Sequence, residues 1–469
     1  MDMKERLPKL IPGYIVRYWY LNQETENVIP DDIPDTSSVF STEYKTEVEK
    51  AAAEALVAEL EAGSSSVFVE SELPANAEYG EFLGVYEVEA NLNELTLASP
   101  VKVAPYTESA VVKHYNDETE TWENVNDVQI IDGYVYAVFT DLSPVSVMTI
   151  RRKVYMSEDG KYFVANGLPI TISAGSVEGE VSITDVFGNV HTVSSEAIVV
   201  GGTYNEAGIV EETSVNMEGG IIDGIVAGSV NFTEEQAFVK KTNVIVADGI
   251  LTAGVRGGGY GRCRVDESNV AFNGGKAYYV AGGGVSSAAS LGGDVNAGVA
   301  DENSPAYTMD TNLVVNGGEI EYLYGGGTSG YQYAKEVSVK ITGGKMISIC
   351  PASNGIVDNL IIDIEAGEIE KVYATNRGIV KVASWDVSGG VIQNLYLGGD
   401  HTDSTITGEI GEVSAVISGG TVNVFAGASK AVKIVPADGI IKEVKVAEAA
   451  AITYMENFDT EFADVIKTV

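Results

Sequence analysis

The sequence predicts an all-β protein: a C-terminal parallel β-helix (β-solenoid), preceded by a small β-sandwich-like domain and a short N-terminal helix. Three observations predict it. Glycine pairs recur through the C-terminal half, apolar residues hold fixed distances before and after each pair, and the segment upstream alternates apolar and polar residues over strand lengths.

Residues 1–62 form an N-terminal arm and helix. The first 40 residues carry four prolines and no period, with aromatics clustered in YIVRYWY. Thr46 with Glu49 makes a capping box for TEVEKAAAEALVAELEAG, and Gly63 follows as a stop. Val48, Ala52, Leu56 and Leu60 form the expected apolar stripe. A helix of about 17 residues is marginal alone, so it must pack, either on its own domain or in a bundle with copies from neighbouring subunits.

Residues 67–150 read as the β-sandwich-like module. SVFVESEL, EFLGVYEVEA, ELTLASPVKV, AVVKHYND and VQIIDGYVYAVFTDLSPVSVMTI alternate with turn residues between them. Residues 151–209 are a connecting β segment in which the solenoid starts, somewhere between 165 and 215.

The solenoid proper is read over 210–447. Its anchors are Gly220, Gly249, Gly275, Gly318, Gly344, Gly367, Gly390, Gly420 and Gly439. Five residues before the anchor stand Val215, Val244, Val270, Leu313, Val339, Ile362, Trp385, Ala415 and Ile434. Three before it, Met217 through Ile417 are all apolar, and Pro436 is the one break. Two after it come Ile222 through Ile441, and five after it Ile225 through Val444, except that the second copy has Gly254 there with Val255 one place late. Residues two apart share a strand face, and the glycine pair permits a tight bend at positive φ. One strand–bend–strand unit cannot bury its apolar face alone and must stack on its neighbours. The number of strands per coil stays open. The 43-residue gap between Gly275 and Gly318 holds a loop insertion near 285–309, and insertions on a solenoid collect on one face. The tail, 448–469, departs from the grid and is expected to cap the open end.

Composition limits the function. Lys plus Arg number 29 against 68 Asp plus Glu, a net charge of −39, so nucleic acid and anionic membranes are poor partners. Two cysteines give no disulfide framework. No run of 18 apolar residues exists for membrane insertion, and the N-terminus lacks the apolar stretch of a signal peptide.

Chemistry-bearing motifs are sparse. His114, His191 and His401 have no Ser, Cys or ligand partner at recognisable spacing. Cys350 reads as a buried structural thiol, whereas Cys263 lies between Arg262 and Arg264, which could lower its pKa. The GGG runs lack the GK[ST] of a P-loop, and LGGDVNAG and LGGDHTDS are poor matches to calcium-binding β-roll repeats. Glu321, Asp363, Glu365 and Asp386 are candidate carboxylates for polysaccharide cleavage, with a solvated face as the plainer reading. Tyr278, Tyr322, Tyr324, Tyr373 and Tyr396 could stack on sugars. No catalytic, cofactor or metal residue is assigned, and no cofactor is expected.

Two resemblances add to this. The block from Ala110 to Val147, ending in Leu142-Ser143-Pro144, resembles a small β-module of gut Firmicutes surface proteins, without the aromatic residue which that module carries after the proline. The GG–x–[IV]–x–x–[LV]–Y–GGG repeat is similar to the glycine-rich β-helices of gut bacterial surface proteins and of bacteriophage fibres or spikes. The second resemblance implies a non-enzymatic virion appendage (head fibre, capsid decoration or tail fibre), made in the host cytoplasm and adhering to surface or mucosal glycans. Its N-terminal region would dock on other virion proteins, in a homo-oligomer with a trimer favoured. A bacterial cell-surface adhesin whose leader was removed, and a polysaccharide-degrading spike, are the alternatives.

Overall fold

A computed structural model describes residues 47–468 except 64, 87, 92–93, 98–99, 141, 286–306, 329–331, 400–407, 427–432, 435–440, 447–450 and 455–465. The arm, Thr46, His401, Gly439 and most of the 285–309 insertion lie outside the described residues. The chain divides into two compact units, Met1–Lys153 and Val154–Val469.

The first unit is built on a four-stranded antiparallel sheet in the order Ala77–Tyr86, Val145–Arg152, Thr107–Asn116, Thr121–Asn124. Two three-stranded antiparallel sheets accompany it. One joins Val88–Asn91, Glu94–Leu97 and Val138–Phe139, the other Val101–Lys102, Tyr134–Tyr136 and Gln129–Ile131. Leu83, Val112, Val145 and Val147 pack into the core of this module with Leu97, Val135 and Phe139.

The helix Glu47–Glu61 covers the other face of the four-stranded sheet, where Ala53 and Leu56 pack with Phe68, Val85 and Met148. This explains why VSVMTI is buried at every position and does not alternate: helix and module core take opposite faces of the same strand. The expected helical stripe is corrected by one residue. Val48 is 46% exposed, and the packed positions are Ala53, Leu56, Val57 and Leu60, which keep the i, i+3, i+4, i+7 spacing. Of the two packing modes open to the helix, its apolar face is engaged by its own module. Lys113 ties the following linker down, its Nζ donating to Val67 O at 2.6 Å and pairing with Glu72 at 2.9 Å. Leu56→Ala is therefore expected to destabilise the module by about 3 kcal/mol, through a cavity under the helix. Trp122, which packs in the same cluster, reports it by fluorescence in denaturant unfolding; an unchanged midpoint would refute the docking.

The second unit is a β-solenoid of about eight turns. The coils share two main strands, a longer one before the bend and a shorter one after it, each kind stacking into its own parallel sheet, and two coils add a short third strand, Val230–Asn231 and Tyr260–Gly261. The register reproduces the apolar columns: Val215, Val244, Val270, Leu313, Val339, Ile362, Trp385 and Ala415 stand in line. So do Ile222, Leu251, Ala277, Ile320, Met346, Ile369, Ile392 and Val422. Both columns are buried in one continuous core between the sheets.

The bend needs its glycines. Gly318 sits at φ +80°, and a Cβ there would meet Phe272 Cε1 at 2.6 Å. At the opposite corner, buried hydroxyls satisfy the carbonyls of the small-residue run. Thr213 donates to Ala227 O at 2.8 Å, Thr242 to Gly257 O at 2.7 Å and Ser268 to Gly282 O at 2.6 Å.

The solenoid runs further at both ends than the repeat suggests. Parallel pairing begins at Tyr162 opposite Ile198 and Ile170 opposite Val215. Antiparallel strands close the first edges: Tyr155–Met156 on one sheet, Glu180–Asp185 and Val190–Ser194 on the other. At the far end, Ile441 and Val444 stand opposite Val413 and Ala415, so they precede the last bend, where the repeat had placed them after it. The expected cap is corrected likewise. Ala451–Tyr454 and Ile466–Thr468 continue the two sheets, hidden in the sequence because no glycine pair marks their bend.

Val315→Asp or Ile392→Asp, each fully buried, should destabilise the solenoid by roughly 2–5 kcal/mol, from lost packing and an unpaired buried charge. Glu321→Ala, on the exposed side of its strand, should leave the unfolding midpoint nearly unchanged. Equal tolerance at both kinds of position would sink the column assignment.

Candidate ligand-binding face

The second copy of the repeat carries one residue more than its neighbours. Ile222 and Gly224 stand opposite Leu251 and Gly254, and these oppose Ala277 and Tyr279, so Thr252 and Ala253 together face one residue on either side. This is a β-bulge, a device that re-aims the side chains after it. Gly254 can occupy it because it has φ +156° and no Cβ to collide with the Tyr279 carbonyl. The irregularity was visible in the sequence as Val255 arriving one place late, but its consequence was not.

Two residues beyond the bulge, Arg256 enters an outward column. Its register partners run Val164, Val200, Val226, Arg256, Ala281, Tyr324. Beside this column lies a third, short ladder in which Tyr204, Val230, Tyr260 and Val285 are in line. Val164, Val200, Val226 and Val230 form a satellite core there with Tyr162, against which Tyr155, Tyr204 and Tyr260 pack. A guanidinium thus stands where the rungs beneath it carry valine. It lies 4.8 Å from the ring centre of Tyr279 and 5.5 Å from that of Tyr260, within cation–π range.

Further aromatic residues extend the face. Tyr162 stacks on Tyr204 at 4.7 Å, and Tyr278 meets Tyr322 edge-on at 5.3 Å, with Tyr324 6.4 Å from Tyr322. Tyr278 is 49% exposed. Burial pushes the phenol of Tyr324 up to about 12 and raises that of Tyr279, so these hydroxyls stay protonated at neutral pH. Among the tyrosines singled out in the sequence, Tyr278, Tyr322 and Tyr324 come together. Tyr373 and Tyr396 pair with each other on later rungs, where Tyr396 is fully buried. Arg256, Tyr260 and Tyr279 were missed.

The carboxylate candidates do not all come together, although Asp363 and Asp386 stand opposite each other. Glu321 lies on the short-strand sheet, whereas Asp363 and Asp386 occupy adjacent rungs of the long-strand sheet. Lys340 holds Asp363 at 2.9 Å and also contacts Glu365, and the hydrogen bonds it donates to Glu365 and Asp363 raise its pKa. A shallow trough of about 1010 Å³ follows the glycine bends, but the charges along it pair mutually, Lys276 with Glu319 at 2.7 Å and Lys345 with Glu368 at 3.8 Å.

Strand register brings Ser143 Oγ to 3.4 Å from His114 Nδ1 and Glu123 to 3.6 Å from Nε2, a grouping that no linear spacing reveals. Both distances exceed the 2.6–3.2 Å of an activated nucleophile, and Ser143 is buried, so the group braces the strand end. His191 leans on Asp185 at 3.4 Å. Burial pushes the Asp185 carboxyl up, but hydrogen bonds from Asn189, His191 and Phe187 outweigh it and hold the group low. No group of three or more metal-ligating side chains occurs among the described residues, and no described helix is long and apolar enough to cross a membrane.

The flanking arginines do not lower the pKa of Cys263. Its Sγ is fully buried and accepts the Ser229 N–H at 3.3 Å, and desolvation pushes its pKa up to about 12 despite the flanking arginines. Cys350 is buried as expected. Comparison of the chain with protein-family models, curated proteins and solved structures finds no match. In a Cys350→Ala background, Cys263 should react with iodoacetamide at pH 8.5 at least about a hundredfold more slowly in the native protein than in guanidinium. Similar rates would mean that the site opens in the native state.

Proposed function

We propose that the protein is a non-enzymatic structural appendage of a bacteriophage virion, whose solenoid adheres to surface glycans. The observation that carries adhesion is the row of outward tyrosines, Tyr278, Tyr279, Tyr322 and Tyr324, fixed on rungs of one hydrogen-bonded sheet. Rings held by a rigid ladder lose little entropy on binding, which suits stacking against sugar faces. The engagement of Asp363 and Glu365 by Lys340, and the separation of Glu321 from them, favour this over a polysaccharide-degrading spike. The virion setting rests on the likeness of the repeat to phage β-helices. Residues 1–62 and the module would supply attachment and spacing, with a trimer as the favoured assembly, although the docked helix moves the assembly role away from that helix face. A bacterial surface adhesin shares the same face and differs only in its carrier.

Full-length protein is expected to bind host capsular or mucin glycans on an array, and Tyr278→Ala combined with Tyr322→Ala should weaken binding at least roughly tenfold with an unchanged unfolding midpoint. Gold-labelled antibody against the chain should then decorate phage particles. Labelling confined to bacterial envelopes would replace the virion by an adhesin, and no glycan binding would remove the adhesion reading.

A further inference from the structure

Among the described residues, Arg256 is a cation without an anion. Its Nε is sealed from solvent and has no hydrogen-bond partner, and the guanidinium makes no ion pair or hydrogen bond among the described residues. Its neighbours are rings: Tyr279 and Tyr260 face the guanidinium, and its charge also acts on Tyr162. The Tyr279 hydroxyl is likewise buried without a partner. Asp223, whose charge acts on Tyr279, accepts a hydrogen bond from Thr252 at 2.9 Å and makes no ion pair with Arg256.

This is an expensive arrangement. A column that is valine for three rungs would be filled more stably by another valine, and removing a cation from water without a counter-charge is unfavourable. Sixty-eight carboxylates were available to this chain, and several other cations use them: Lys113, Arg151, Lys241, Lys276 and Lys340 each pair with Asp or Glu. A planar guanidinium left partly exposed between aromatic faces matches a planar carboxylate, which it can bind through two parallel N–H···O bonds. The exposed ring of Tyr278, 6.4 Å from Tyr279, gives an adjoining apolar surface.

We propose that Arg256, with Tyr260, Tyr278 and Tyr279, is the subsite for a carboxylated sugar unit: the carboxylate on the guanidinium, the sugar ring against the tyrosines. This rests on the adhesion reading and names its ligand class.

The test is calorimetric titration of the full-length protein with three oligosaccharides of equal length, one containing a hexuronic acid, one its neutral reduced counterpart and one a sulfated counterpart. The uronate oligosaccharide should bind best. Arg256→Gln should weaken it roughly ten- to hundredfold while leaving the neutral sugar unchanged. Arg256→Lys, which keeps the charge but not the paired hydrogen bonds, should fall between. An unfolding midpoint close to that of the unsubstituted protein keeps each variant interpretable. If uronate and neutral sugars bind equally, or Arg256→Gln changes neither, the subsite is overturned while adhesion stands. A preference for the sulfated sugar overturns the carboxylate assignment, and absence of all binding overturns the subsite and adhesion together.

Discussion

Parallel strands that hydrogen-bond in register place every residue of the solenoid directly over its counterpart one coil away. A side chain there must be compatible with its own kind above and below, over several rungs at a spacing of about 4.8 Å. For apolar residues this is easily met: Val339 on Leu313 and Ile362 on Val339 simply extend a dry column. Corners meet it less easily, because the backbone of one bend lies against that of the next. A Cβ on Gly318 would strike the rung below, and a Cβ on Gly258 would strike Gly284. The abundance of glycine follows from this stacking of bends.

The same constraint governs the polar columns. Like charges in line repel, and several outward columns avoid this by alternating sign or by using groups that donate and accept together, although Glu267, Asp310 and Glu336 do stand in line. Asn312 donates to Asn269 at 3.1 Å and Asn269 to Asn243 at 3.3 Å, so each amide satisfies the next. At the glycine bend, Thr342 donates to Asn316 at 2.6 Å and Asn316 to Asn273 at 2.7 Å. Lysine and glutamate alternate at the place after the bend, Lys276, Glu319, Lys345 and Glu368. A net charge of −39 is therefore compatible with a tall stack, because many charges along it are locally neutralised.

What the sequence reveals follows from which contacts are periodic. The columns were legible because each recurs at a fixed offset from its glycine, and the long strands, the bends and the buried positions fall where that offset puts them. The last coil was misplaced because Ala451–Tyr454 follows a bend that uses no glycine pair, so Ile441 and Val444 were credited to the wrong strand. The helix face was off by one residue because Ala52 and Ala53 are equally small, and only the docking surface chooses between them. Ser143, His114 and Glu123 are 29 and 9 residues apart in sequence, and antiparallel register alone joins them. The pKa of Cys263 could not be read from its flanking arginines, because the desolvation that dominates it is not visible in a sequence.

A perfectly regular ladder presents the same chemistry on every rung, and that bears on where a distinctive site can arise. A cation can sit between rings on a regular column, as Arg264 does 5.8 Å from Phe238 and 5.0 Å from Tyr307. Arg256 instead enters where the repeat breaks. In this protein the breaks coincide: the bulge at Gly254, the short outer ladder through Tyr260, and the coil whose bend leads into the long insertion after Val285. Arg256 stands at their meeting point, four residues before Tyr260 and one rung below Ala281. The bulge supplies the change of direction, Gly254 admits the Tyr279 backbone, and the outer ladder supplies the second ring. The periodic part of the sequence thus builds a rigid support, and the departure from periodicity places Arg256 among rings without a carboxylate partner among the described residues.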